Sequence, residues 1–153
     1  MIEDGEFDHI ELSIPGQPVL LQLVRMTAGV VAARADLGLD EVEDLRLAVD
    51  ELCLPFMGPE GHPGRLLVRY AWDPETIEIS CTLTSGDEGT EIGNGPDVIP
   101  VIVDSEFKGQ AERLREELSS QILDALVDEH GETTVDGRAA VWVRMRRPTE
   151  AGA

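Results

Sequence analysis

One helix-forming stretch, LRLAVDELCLPFMGPEG from Leu45 to Gly61, carries the residues on which chemistry would turn. Glu51 stands there on the face away from the apolar stripe, and four residues later the chain reaches Pro55. Proline has no side-chain oxygen with which to hold a cation. Inside an uninterrupted helix it deletes one backbone bond and clashes with the carbonyl four residues back, at a cost of about 3 kcal/mol. The helix is therefore expected to kink or end at Leu54. Other reactive side chains are sparse. Cys53 and Cys81 fall at apolar positions of a helix and a strand. With no C-x-x-C pair, the simple account is two buried free thiols in a reducing cytoplasm. His9, His62 and His130 are scattered without metal-ligand spacing, so no metal site is expected.

The elements that must position these residues follow from hydrophobic periodicity. HIELSIPG alternates apolar and polar residues and predicts an edge strand. Pro18 suits the first turn of VLLQLVRMTAGVVAARADLG, which reads as a helix closed by Gly38. Leu20, Leu23, Val24, Thr27, Ala28 and Val31 make its expected core stripe. Gln22, Arg25, Met26, Gly29, Val30 and Ala33 lie on its other face, with Arg25 as the only charge. A solvated face in so charged a chain would carry several charges, so this one reads as a protein-contact surface. Cover by loops of the same chain is the alternative.

The second helix is expected to start with Asp40 as N-cap, Glu43 completing a capping box and Leu39 as the staple residue. Leu45, Ala48, Val49, Leu52, Cys53 and Phe56 form its buried stripe, with Leu47, Glu51, Leu54 and Pro55 on a different face. RLLVRYAW and TIEISCTL, joined by DPET, predict a hairpin in which Leu66, Val68, Tyr70 and Trp72 share one face. Ser85 to Gln110 is a long Gly- and acid-rich connection, of a length typical of lids and binding loops. AERLREELSSQILDALVDEHG predicts a helix stopped by Gly131. ETTVDGRAAVWVRMRR predicts a closing hairpin with Asp136-Gly137 at its turn. Residues 148–153 read as a tail on a single domain spanning 1–147. The resulting fold class is α+β, a two-layer sandwich with helices on one face of a mixed, mostly antiparallel sheet.

Charge narrows the function. The 153 residues hold 31 acids and 12 bases, a net charge of −19. Nucleic acid and anionic membrane need a basic surface, so neither is expected as a partner. An acidic domain is steered instead toward basic partners, DNA-binding proteins among them; solubility alone is the competing account of the acidity. MIEDGEFDH has neither the basic nor the apolar region of a signal peptide, and no apolar run approaches the ~18 residues of a membrane span. A cytoplasmic location is the expectation.

LRLAVDELC, the two strands after it, the glycine-containing loop and ILDALVDEHGETTVDGRAAVWVRMRR together resemble the small anti-sigma factor kinases of the histidine-kinase-like (GHKL) ATPase superfamily. The resemblance runs from about Ile10 to Arg147. It implies an anti-sigma factor that sequesters an alternative sigma factor of RNA polymerase and is released by a STAS-type anti-anti-sigma protein. Many members also phosphorylate a serine of that antagonist, and a homodimer is implied.

In the family, a Glu and, four residues on, an Asn face a Mg-nucleotide. Here Glu51 matches the Glu, and Pro55 stands where the Asn would hold Mg²⁺, an ion that takes oxygen ligands. The family's adenine-binding Asp falls on Leu83 or Ser85, with Asp87 and Gly89 as a shifted partial match. Its phosphate-loop glycines fall on Glu117 and Ser119, inside a segment that reads as helix already under way and is rich in carboxylates. Three altered elements imply a degenerate site, with Glu51, Ser85, Asp87 and Gly89 as its remnant. No cofactor is then expected, although ATP with Mg²⁺ is what an intact site would take.

The family's sigma-contacting arginine, in the middle of the first helix, matches Arg25, with Gln22, Met26 and Gly29 around it. Two other readings stand beside the non-catalytic anti-sigma factor. One is an active serine kinase with a rearranged pocket, and the other is a sensing or scaffold module on the same fold.

Overall fold

A computed structural model describes residues 8–58, 60–84, 117–135 and 137–147. Strand β1 (Asp8–Gly16) is followed by a 3₁₀ turn (Pro18–Leu20), helix α1 (Leu21–Arg34), helix α2 (Leu39–Met57), and strands β2 (His62–Trp72) and β3 (Thr76–Thr84). Helix α3 is described over 117–126, before β4 (Glu129–Val135) and β5 (Arg138–Arg146). The five strands form one sheet in the order β1-β2-β3-β5-β4, and every pairing is antiparallel. The architecture is therefore the expected α+β arrangement, and the described sheet is antiparallel throughout rather than mixed. Ser85, Asp87 and Gly89, with the whole 85–110 connection, lie outside the described residues.

Strand alternation decides which side is core. Val68 pairs with Cys81, Tyr70 with Ile79, and Ile79 with Val143, so one apolar row runs across the sheet beneath the helices. These residues are all fully buried and pack with Val24 and Val31 of α1 and with Leu45, Val49 and Cys53 of α2. Tyr70 ties the layers together, its hydroxyl donating to the Val24 carbonyl at 2.9 Å. The β2–β3 turn is held by Asp73, whose Oδ1 accepts from the backbone N–H of Glu75 (2.7 Å) and of Thr76 (2.6 Å). At the β4–β5 turn Gly137 takes φ +78°, as the Asp-Gly pair predicts.

Several local expectations give way. Helix α1 stops at Arg34, and Asp36 with φ +55° turns the chain, so Gly38 does not close α1 but caps α2. Asp40 is thereby not the N-cap: it lies with Glu41 in the first turn of α2, where carboxylates favour the helix dipole. Leu39 is 77% exposed and staples nothing. The core stripe of α1 is Leu21, Val24, Ala28, Val31 and Ala32, while Leu23 is exposed. On α2, Met57 is buried at the end of the stripe and Phe56 only packs against it.

The helix also does not end at Leu54. Pro55 lies inside α2, and Gly58 (φ +66°) closes it with its N–H on the Leu54 carbonyl at 3.0 Å. So near the C-terminus the missing N–H leaves only one carbonyl, that of Glu51, without its helical partner. Gly131 stops no helix. It lies in β4 opposite Trp142, and a Cβ there would sit 3.0 Å from the indole.

Candidate functional site

Helix α1 presents an apolar strip to the outside. Val19 of the 3₁₀ turn and Leu23, Met26 and Val30 of α1 are 74%, 45%, 55% and 59% exposed. Their spacing of four, three and four residues keeps them on one helix face, the heptad spacing of a helix–helix seam. None of the four belongs to the core of the described residues. Gln22 is exposed beside the strip, and Gly29 is half-buried on the flank toward α2, where an added Cβ would stand 3.9 Å from Cδ of Arg46.

Arg25 occupies that same flank. Its Nε lies 3.3 Å from Oδ1 of Asp50 on α2, and the side chains are 41% and 25% exposed. The two facing atoms are buried but lack the alignment of a hydrogen bond, so the contact is electrostatic. Burial raises the Asp50 carboxyl above its ordinary range, against the lowering pull of Arg25 and Arg46. Arg46 also meets Glu43 at 3.4 Å, one turn along α2. The outer side of α2 adds Leu47 and Leu54, 54% and 41% exposed.

Of the expected contact residues, Gln22 and Met26 are thus open on α1, while Arg25 and Gly29 sit at the α1–α2 seam. Val19, Leu23 and Asp50 were not expected. The signal for Leu23 was hidden by the 3₁₀ turn. That turn advances ~120° per residue instead of ~100°, so a phase counted from Pro18 is wrong by half a residue on reaching α1.

The nucleotide remnant is placed only in part. Glu51 is half-buried on α2 and Pro55 is exposed one turn later. Leu83 is half-buried in β3 and packs on the core. Glu117 is exposed and Ser119 half-buried on α3. The pair Glu51 and Pro55 does not fit a Mg-nucleotide, because the second position offers the ion no oxygen. Among the described residues no group of three or more His, Cys, Asp and Glu side chains is placed to hold a metal ion. Cys53 and Cys81 are buried and free. Their mutual contact, followed by burial, pushes the Cys53 thiol well above its ordinary value. No described helix is long and apolar enough to cross a membrane.

No protein-family model matches the chain. Among curated proteins it is similar to the serine-protein kinase RsbW of Bacillus pumilus (strain SAFR-032), 34% identical over 77 residues, which is 47% of this chain and 48% of the relative. The RsbW of Bacillus subtilis (strain 168) is 32% identical over 75 residues, and that of Bacillus velezensis (strain FZB42) 44% over 75, each covering 47% of both chains. Over about half of its length the chain is thus similar to the RsbW serine-protein kinases. The five-stranded sheet with its helix layer agrees with the GHKL type of that family. The chain spans about half the length of the curated RsbW relatives it matches.

Proposed function

We propose that this RsbW relative is an anti-sigma factor that acts by binding. The observation that carries the reading is the uncharged, exposed strip Val19, Leu23, Met26 and Val30 with Arg25 at its edge, in a chain of net charge −19. An apolar face of this kind rimmed by one arginine is how protein interfaces are built. The holding face is α1 around Arg25, with Gln22, Met26 and Gly29. The partner is an alternative sigma factor, whose basic DNA-binding regions suit an acidic captor. A STAS-type anti-anti-sigma protein releases it, the protein works in the cytoplasm, and two copies form a homodimer. Phosphoryl transfer is not part of this function, because Pro55 stands where the family's Mg²⁺ ligand would be.

Coexpression with the candidate sigma factors of the same cell tests the reading. One of them should co-purify, and Arg25→Glu should lose it while the domain keeps its circular dichroism, at a melting temperature lowered by repulsion from Asp50. Undiminished capture by the charge-reversed protein would remove α1 from the interface.

The relatives' name, serine-protein kinase, together with Glu51 still on α2, favours a second reading as an active kinase. It requires saturable Mg-ATP binding and phosphate transfer to the antagonist that is lost in Glu51→Ala. Calorimetry with and without Mg²⁺ separates the two readings.

A further inference from the structure

We infer that the sheet face turned away from the helices is a second interaction surface, and that it takes a carboxylate-bearing segment of another protein. Strand alternation puts Arg65 and Arg69 of β2 and Arg138, Arg144 and Arg146 of β5 on that face. These are five of the 12 basic residues of the chain. The carboxylates that share the described face are Glu11, Glu78 and Glu129. Glu78 is 3% exposed and receives Arg144 Nη2 at 2.9 Å; Glu129 receives Arg144 and Arg146 at 2.7 Å each. Glu78 and Glu129 are therefore engaged, and they hold Arg144 and Arg146 in turn, while Glu11 stands opposite Arg69. The helix side is the reverse: between Leu21 and Met57, Arg25, Arg34 and Arg46 face seven carboxylates. Five of the nine described arginines of a strongly acidic chain thus share one side of one sheet.

The chemistry of that side suits carboxylates. Guanidinium groups present planar pairs of donors that match a carboxylate fork, and Arg146 is 69% exposed. Trp142 lies among them, half-buried, with the Arg144 guanidinium 5.1 Å from its ring centroid and Gly131 beneath it. Arginine and tryptophan together are what the energetic centres of protein interfaces are made of. Ser80 and Thr82 of β3 add hydroxyls in the middle of the face. Nucleic acid is the other polyanion this chemistry could meet. A duplex is long enough to feel the whole net charge of −19, whereas a short acidic segment feels the local field. Charge complementarity therefore favours the protein partner.

Fluorescence anisotropy with a labelled oligoglutamate peptide tests this at ~0.1 M salt, where a Debye length of about 10 Å screens the carboxylates of the helix side. The intact chain should bind the peptide and not a glycine-serine control. Arg146→Glu and, separately, Arg69→Glu should each weaken binding about five- to tenfold, with folding verified by circular dichroism, while Arg25→Glu leaves it unchanged. The inference fails if the peptide does not bind or if only Arg25→Glu weakens it. It also fails if a single-stranded oligonucleotide competes at lower concentration than the peptide. None of these results bears on sigma capture at α1.

Discussion

Arg25 of α1 and Asp50 of α2 face each other across 3.3 Å with their nearest polar atoms buried and not hydrogen-bonded. A pair in this state is an electrostatic contact that holds a side chain in place without the full return of a hydrogen bond. Because burial is the larger influence on Asp50, its carboxyl titrates above its ordinary range. Ionising it therefore costs stability. That cost is absent below the unfolded-state value and complete above the folded-state one. Replacing Asp50 by Asn should thus gain on the wild type as pH rises from about 4 to 7. Urea midpoints of the two proteins at both ends of that range measure it, and a difference that moves the other way would contradict the assignment.

Leu45 and Leu47 stand two residues apart on α2 and should behave oppositely. Leu45 is fully buried and Leu47 is 54% exposed. Leu45→Ala should cost roughly 2–5 kcal/mol of unfolding free energy. Leu47→Ala should stay within about 0.5 kcal/mol. Equal costs would mean that α2 is rotated from the orientation described.

Met26→Asp tests the outer strip of α1. The side chain is 55% exposed and outside the core, so the thermal midpoint should hold while sigma capture falls at least ~tenfold, the loss of one well-placed apolar anchor. A variant that keeps full capture would place the interface elsewhere.

Glu78→Ala leaves the Arg144 guanidinium with Glu129 alone. Glu78 is almost completely buried and hydrogen-bonded, while Arg144 keeps 28% of its side chain in solvent. The expected loss is therefore roughly 1–3 kcal/mol, below the cost of breaking a fully buried pair. Denaturant unfolding measures it, and no loss would mean the pair only compensates its own desolvation.

Gly131→Ala should be destabilising by roughly 1–3 kcal/mol, because its Cβ would press on the Trp142 ring at 3.0 Å. Tryptophan emission should shift as the indole moves. If both stability and emission stay unchanged, the ring does not rest on Gly131.

The sheet was legible in the sequence because its signal is local. Alternation fixed the inward row of Leu66, Val68 and Tyr70, and Asp73 and Gly137 marked both described hairpins by turn chemistry alone. The stripe of α2 was legible for the same reason, since Leu45, Ala48, Val49, Leu52 and Cys53 repeat at the helical period. Boundaries were less so. Gly38 and Gly131 both resemble helix stops, but one caps the next helix and the other makes room for an indole from a neighbouring strand, a contact that only the fold creates. Pro55 reads as a breaker, yet one turn from the helix end it forfeits a single bond. At the candidate site Arg25 stood out as the lone charge of its face, whereas its partner Asp50 is one of many acids and nothing local distinguishes it.

The separation of arginines on the sheet from carboxylates on the helices has a consequence before any contact is made. Among the described residues, the arginines of the outer sheet face and the carboxylates of α1 and α2 give the two layers an electric moment along the sheet normal. A charged body approaching from solution exerts a torque on such a molecule and turns it, so that a cationic surface meets the helix layer and an anionic one meets the strands.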